Sequence, residues 1–188
     1  MMLMCGDEDM ARLIAVAETG TGEEIGLAER LIDAYPDDAR LHFLRGSFLA
    51  GSARPIEAHA SLSRAVALAP DFHLARFQLG FFELTSAEPA RALATWEPLS
   101  ALPEDHYLAH FVAGLTHLIH DRFPETIREL EAGIAANTEN PPLNRDMGLI
   151  IAQCGGLVAN PVTETAPVEE ASATSFLLGQ LGGRGPTP

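Results

Sequence analysis

The stretch Phe77-Gln78-Leu79-Gly80-Phe81-Phe82 decides the fold, because its glycine recurs at a fixed interval along the chain. A step of 34 residues back from Gly80 reaches Gly46, and steps of the same length forward reach Gly114 and then Gly148. A period of about 34 residues is the length of a repeat made of two helices and a turn. The sequence therefore predicts a series of stacked helix pairs.

The composition restricts the class of partner and the compartment. The 188 residues include 26 acidic side chains and 12 basic ones, all of them arginine, so the net charge is −14. Binding to a phosphate backbone needs a basic surface, which disfavours nucleic acid as a partner. The N-terminus lacks a signal-peptide pattern, no apolar run reaches about 18 residues, and the two cysteines show no metal-ligand spacing. We expect a soluble, cytoplasmic protein without membrane insertion.

Apolar residues at helical spacing predict the individual helices. The first covers Asp7–Thr19 and ends at a glycine-containing turn, and the second runs from about Glu23 to Tyr35. A third covers Ala39–Gly51. The fourth begins at Arg54-Pro55, with proline at a position that an early helical turn tolerates, and runs to Pro70. The chain therefore reads as helix pairs separated by short turns.

The unit from Ala39 to Pro70 resembles the tetratricopeptide repeat family. In that family a small residue stands eight places into the repeat, alanines occur in the second helix, and a proline ends the unit. Gly46, Ala58, Ala65 and Pro70 hold those places. Later periods keep part of the pattern, and the chain departs from it at His42, Arg76 and His110, where the family often has an aromatic residue. The resemblance implies an all-α, right-handed superhelical solenoid of antiparallel helix pairs.

The resemblance also implies the domain organisation. One repeat domain is expected over residues 5–156, and a flexible linker and tail rich in Pro, Thr, Ala and Glu over residues 157–188. Gly155-Gly156 is expected to stop the last helix. Within the domain we expect repeats at about 5–36, 39–70, 73–104 and 107–138, a C-terminal capping helix at 142–154, and in the tail a short apolar motif at 175–181.

Ionisable side chains concentrate in one predicted helix, at His106, His110, His117 and His120. They fall on one side of that helix, but only His106 and His110 have the i, i+4 spacing that suits a metal. Packing or surface roles are the favoured interpretation, and this pair is a weak metal candidate. Phosphate-binding loops, nucleophile elbows and Cys–His arrangements are missing from the sequence, and both cysteines read as small apolar residues. We predict no enzymatic activity and no cofactor.

In tetratricopeptide proteins the first helices of successive repeats line a concave groove. Carried over to this chain, the groove positions are mostly apolar, and Phe43, Phe77 and Phe111 stand one period apart. The alternative is that the same residues belong to the core, and the sequence leaves both interpretations open. The candidate peptide-binding residues are Phe43, Ser47, Leu74, Phe77, Phe81, Leu84, Leu108, Phe111, Leu115, Leu118 and Ile119.

An apolar groove suits an apolar or amphipathic peptide segment, whereas the family's carboxylate grip needs lysines that this chain lacks. Type III secretion chaperones of the same repeat class are similar in size, acidity and groove character. We therefore predict a non-enzymatic adaptor or chaperone. Its own tail, through Phe176, Leu177, Leu178 and Leu181, is expected to compete for the groove or to mediate self-association. The alternatives are an accessory or regulatory subunit docked permanently on an enzyme or secretion-system component and, more distantly, a metal-binding protein that uses the histidine stripe.

Overall fold

The computed structural model describes residues 4–159, and every regular element in that range is a helix. The predicted all-α class is confirmed. Among these residues, no helix combines the length and the apolar character that crossing a membrane requires. The helices are α1 (Asp7–Thr19), α2 (Glu24–Ala34), α3 (Ala39–Gly51), α4 (Pro55–Leu68), α5 (His73–Thr85), α6 (Pro89–Trp96) with a following 3-10 helix (Glu97–Ala101), α7 (Tyr107–Ile119), α8 (Phe123–Ala136) and α9 (Pro141–Ala159).

The chain divides into two compact units. Among the described residues, the first unit covers 4–82, which includes α1 to α4 and most of α5, and the second covers 83–159. In the first unit α3 packs on α2 and α4, and in the second unit α8 packs on α7 and α9. The predicted repeat domain, residues 5–156, therefore spans both units.

The turns that join paired helices share one backbone conformation. Ala53, Ala87 and Asp121 are 34 residues apart and adopt left-handed φ values of 55°, 62° and 54°. Such a conformation costs a non-glycine residue about 1–2 kcal/mol, so it needs support from its surroundings. That support includes a hydrogen bond across each turn, from the N–H of Arg54 to the carbonyl of Leu49 (3.0 Å), from Glu88 to Glu83 (2.9 Å) and from Arg122 to His117 (3.0 Å).

The recurring glycines allow the paired helices to approach closely. A Cβ atom on Gly46 of α3 would lie 2.7 Å from Cγ of Leu62 in α4. A Cβ atom on Gly114 of α7 would lie 2.7 Å from Cδ2 of Leu130 in α8. Real Cβ atoms do not come this close to another heavy atom, because such contacts are strongly repulsive. The 34-residue glycine period thus marks equivalent close contacts in two helix pairs.

A buried carboxylate ties the residues before α1 to the start of α3. Asp38 is fully buried and accepts hydrogen bonds from the backbone N–H of Cys5 (2.9 Å) and from that of Arg40 (3.0 Å). The Arg40 guanidinium binds the same carboxylate at 2.7 Å and donates to the carbonyl of Cys5 at 2.8 Å. Burial alone would raise the pKa of Asp38, but the hydrogen bonds from Arg40 and Cys5 outweigh it and lower the pKa.

One helix is short, and another is longer than the sequence predicts. The helix that begins at Pro89 ends at Trp96 and continues only as a 3-10 turn, because Pro98 has no N–H to donate within an α-helix. The prediction that Gly155-Gly156 stops the last helix, at about residue 154, is wrong. Neither glycine adopts a positive φ, the conformation that ends a helix at glycine, so α9 runs on to Ala159 and includes residues 157–159 of the predicted linker.

Candidate binding surface

The predicted groove residues divide into two groups by burial. Phe43, Ser47, Leu74 and Phe81 are half-buried, as is Ile119. A completely buried side chain has no free surface to offer a ligand. The accessible members of the predicted groove, Ile119 apart, therefore all lie in the first unit. The residues that are at most 1% exposed are Phe77, Leu84, Leu108, Phe111, Leu115 and Leu118.

One face of α5 carries two accessible residues of the predicted groove, Leu74 and Phe81. Leu74, Phe77 and Phe81 follow one another at i, i+3 and i+7, a spacing that places them on the same side of a helix. The rings of Phe77 and Phe81 are stacked, with centroids 6.2 Å apart and an interplanar angle of 10°. Phe77 is buried and Phe81 is half-buried, so a fixed ring supports an accessible one.

A phenylalanine that the sequence analysis did not select joins α3 to the start of α5. The ring centroids of Phe43 and Phe72 are 5.2 Å apart, with the rings tilted by 56°. Phe72 is half-buried and immediately precedes α5, so it does not belong to the helical apolar pattern. Its register was nevertheless a signal. The equivalent residues in other repeats, Asp38 and His106, are polar helix caps, and a phenylalanine cannot act as one. We call Phe43, Phe72, Leu74 and Phe81 the aromatic strip.

Polar contacts hold α3, which carries Phe43, in a fixed position. Arg45 binds Glu29 of α2 at 3.0 Å and donates to the hydroxyl of Ser61 in α4 at 2.6 Å. The Ser47 hydroxyl donates to the carbonyl of Phe43 at 3.0 Å, so this predicted groove residue already uses its donor within the helix. A surface held in this way loses little conformational entropy when a ligand binds.

In the second unit, Phe111, the last of the three phenylalanines that stand one period apart, contacts the paired helix α8. A Cβ atom on Gly133 of α8 would overlap the ring of Phe111. The edge of the same ring system meets Tyr107 at a centroid distance of 5.8 Å. Tyr107 is itself buried, and burial, followed by the charge of Glu139, raises the pKa of its hydroxyl. Phe111 therefore packs between α7 and α8.

The predicted histidine stripe is engaged in separate local contacts. His106 caps α7, where its Nδ1 accepts a hydrogen bond from the N–H of Leu108 at 3.1 Å. His110 Nδ1 lies 3.0 Å from a carboxylate oxygen of Glu129, and the hydrogen bond with His110, followed by that with Arg128, lowers the pKa of Glu129. Nδ1 of His117 is buried and has no hydrogen-bond partner among the residues that the structure describes. Within residues 4–159, no three His, Cys, Asp or Glu side chains come together in a way that could hold a metal.

The two cysteines are free and buried. Burial raises the pKa of both thiols, to about 11 for Cys154, and the nearby carboxylates of Asp9 and Asp38 raise that of Cys5 further. A thiol with a raised pKa carries little thiolate at neutral pH, and the thiolate is the nucleophilic form.

The tail motif at Phe176, Leu177, Leu178 and Leu181 lies outside the described residues. No protein-family model matches the chain, and no curated protein matches it. The surface that the described residues form is therefore the basis for a proposed function.

Proposed function

We propose that this chain is a non-enzymatic protein-binding module of the tetratricopeptide type, a superhelical solenoid that acts as an adaptor or chaperone in the cytoplasm. Its partner is a protein with an apolar or amphipathic segment. The observation that carries the proposal is the aromatic strip. Its side chains on α3 and at α5 are apolar and accessible, and Phe81 stacks on the buried ring of Phe77. The 34-residue recurrence of turn conformation and of glycine–leucine packing supports the repeat assignment.

The expected affinity follows from the burial of the strip. Complete burial of a Phe or Leu side chain is worth about 1.5–3 kcal/mol. The four strip residues keep only a minor part of their surface exposed, so a ligand would gain at most about a third of that at each, about 2–4 kcal/mol in total. Association itself costs about 4–15 kcal/mol, so a ligand needs additional main-chain or flanking contacts. We expect binding in the micromolar range or weaker, with fast exchange.

A peptide selection with two matched variants tests this proposal. Peptides that bind the wild-type chain are selected from a library of linear peptides. Each peptide is displayed in many copies, because multivalent display makes weak binding detectable. Selected peptides are then measured by isothermal titration against wild type, Phe81→Glu and Ile56→Glu. Ile56 is the control because it is an apolar residue on α4 that is 85% exposed and lies outside the strip. Circular dichroism verifies that both variants are folded.

We expect peptides with apolar residues at i, i+3 or i+4 to be enriched, because that spacing presents one apolar face. Phe81→Glu should weaken their binding at least about 10-fold, the equivalent of about 1.4 kcal/mol, because it places a charge in the contact. Ile56→Glu should bind as wild type does. Equal binding by all three proteins, or the absence of any enriched apolar pattern, would contradict a binding role for the strip.

A further inference from the structure

The last described helix, α9, occupies the same place in the 34-residue repeat as α3 and α7, each of which is the first helix of a pair. Gly148 of α9 follows Gly114 of α7 by 34 residues, as Gly114 follows Gly46 by two such periods. Leu143 in α9 is 4% exposed, and Leu41 at the same register of α3 is completely buried. Leu41 belongs to a core cluster with residues of α1 and α2, and α9 packs on α8. The helix α9 is thus packed on one side in the same way as α3.

The other side of α9 differs from that of its counterparts. In α3 and α7 the equivalent glycines, Gly46 and Gly114, each lie against a leucine of the following helix. A Cβ added to either glycine would lie 2.7 Å from a leucine carbon. Among residues 4–159, a Cβ on Gly148 would meet no atom within 4 Å. One turn further, Ile151 is half-buried, whereas Leu49 at the same register of α3 is completely buried. Within residues 4–159, this face of α9 lacks the leucine that fills the equivalent position twice elsewhere.

We propose that the apolar tail segment 176–181 of the same chain covers this face of α9, with a leucine side chain against Gly148. The two filled positions both take leucine, and the segment supplies Leu177, Leu178 and Leu181. In a helical conformation these three residues, at i, i+1 and i+4, share one side. The segment therefore supplies the side-chain type that fills the equivalent position in the two other helix pairs.

The connecting chain is long enough for this contact. Residues 160–175 provide 16 residues, which span up to about 50 Å when extended. The return from Ala159 to Gly148 along α9 requires only about 17 Å, at about 1.5 Å per residue. A short tether keeps the segment at an effective concentration of about millimolar near its own α9, so a weak contact is occupied within one molecule. The inference does not depend on the proposed function, and it leaves the aromatic strip free for a partner.

Disulfide trapping in the full chain tests the contact directly. Ala152→Cys places a thiol on an exposed α9 position, one turn from Gly148, and is combined with Leu178→Cys in the tail. The matched control combines Leu178→Cys with Ala135→Cys, an exposed position of α8. We expect the α9 pair to form an intramolecular disulfide at least about 10-fold faster than the control pair. The native Cys5 and Cys154 are buried and are monitored by mass spectrometry.

A blocking substitution then identifies the face. Gly148→Phe, added to the α9 pair, should reduce trapping to the control rate, because the ring occupies the leucine position. Ala135→Phe, added to the same pair, should leave trapping unchanged. Equal rates for the α9 and α8 pairs, or fast trapping that Gly148→Phe does not slow, would overturn the inference. A covalent dimer in place of the intramolecular product would also overturn it and would identify a second copy of the chain as the occupant.

Discussion

Gly46→Ala tests whether close helix approach, rather than chance, explains the recurring glycines. The added methyl group would lie 2.7 Å from Cγ and 2.9 Å from Cδ2 of Leu62, and 3.1 Å from its backbone nitrogen. The backbone contact cannot be relieved by a rotamer change, so the helices must shift. Overpacking of this kind costs about 1–3 kcal/mol. Replacing a helical glycine with alanine gains about 1 kcal/mol. The net loss of unfolding free energy is therefore expected to be about 0–2 kcal/mol.

Gly26→Ala is the matched control, because Gly26 is also helical and lies in the same unit. Its nearest neighbour to an added Cβ is an Arg30 nitrogen at 3.7 Å, an ordinary contact. This variant should gain about 1 kcal/mol, so the two variants should differ by about 1–3 kcal/mol. Urea unfolding followed by far-UV circular dichroism measures both. If Gly46→Ala stabilises the chain as much as Gly26→Ala does, the packing argument fails.

Three further predictions concern the caps and the thiols. Asp38→Asn should destabilise the chain by about 2 kcal/mol at pH 7, the value of a charge-assisted hydrogen bond. The pKa of Asp38 is lowered in the folded chain. Its contribution to stability is therefore complete above the unfolded pKa of about 4 and is lost as the pH falls through the folded pKa. The difference in unfolding free energy between the variant and wild type, measured by urea unfolding, should shrink in acid. His106→Asp should stabilise the chain by about 0.5 kcal/mol in the same assay, because aspartate caps a helix well and suits its N-terminal dipole. Cys154, with a pKa raised to about 11, should react with iodoacetamide at pH 8 far more slowly in the native chain than in urea, as followed by mass spectrometry, and equal rates would contradict its burial.

The helix pairs were predictable because their signals are local and periodic. The bounds of α1 and α3 agree with the sequence prediction, since apolar spacing and a following turn define both. The left-handed residues Ala53, Ala87 and Asp121 were not predictable in the same way. A positive φ is usually signalled by glycine, and these positions carry alanine and aspartate. Their conformation is imposed by the helices on either side.

The candidate surface was predictable in register but not in exposure. The sequence placed Phe43 and Phe111 at equivalent positions, yet Phe43 is half-buried and Phe111 is completely buried. Whether a side chain lies at the surface depends on what stands opposite it, and a repeat pattern does not contain that information. Phe72 was missed for a related reason, because its contact with Phe43 joins two segments that are distant in sequence.

A single methyl group accounts for part of the difference between the two phenylalanines. At the second-helix position where the first full repeat has Ala65, the later repeat has Gly133. A Cβ on Gly133 would overlap the Phe111 ring, so the ring could not keep its present position against α8 if a methyl group were there. Where the alanine is kept, Phe43 contacts Phe72 instead and stays accessible. Phenylalanine at this repeat position is thus buried at Phe77 and Phe111 and accessible at Phe43. Substitutions of Phe111 should therefore affect stability, and those of Phe43 should affect binding.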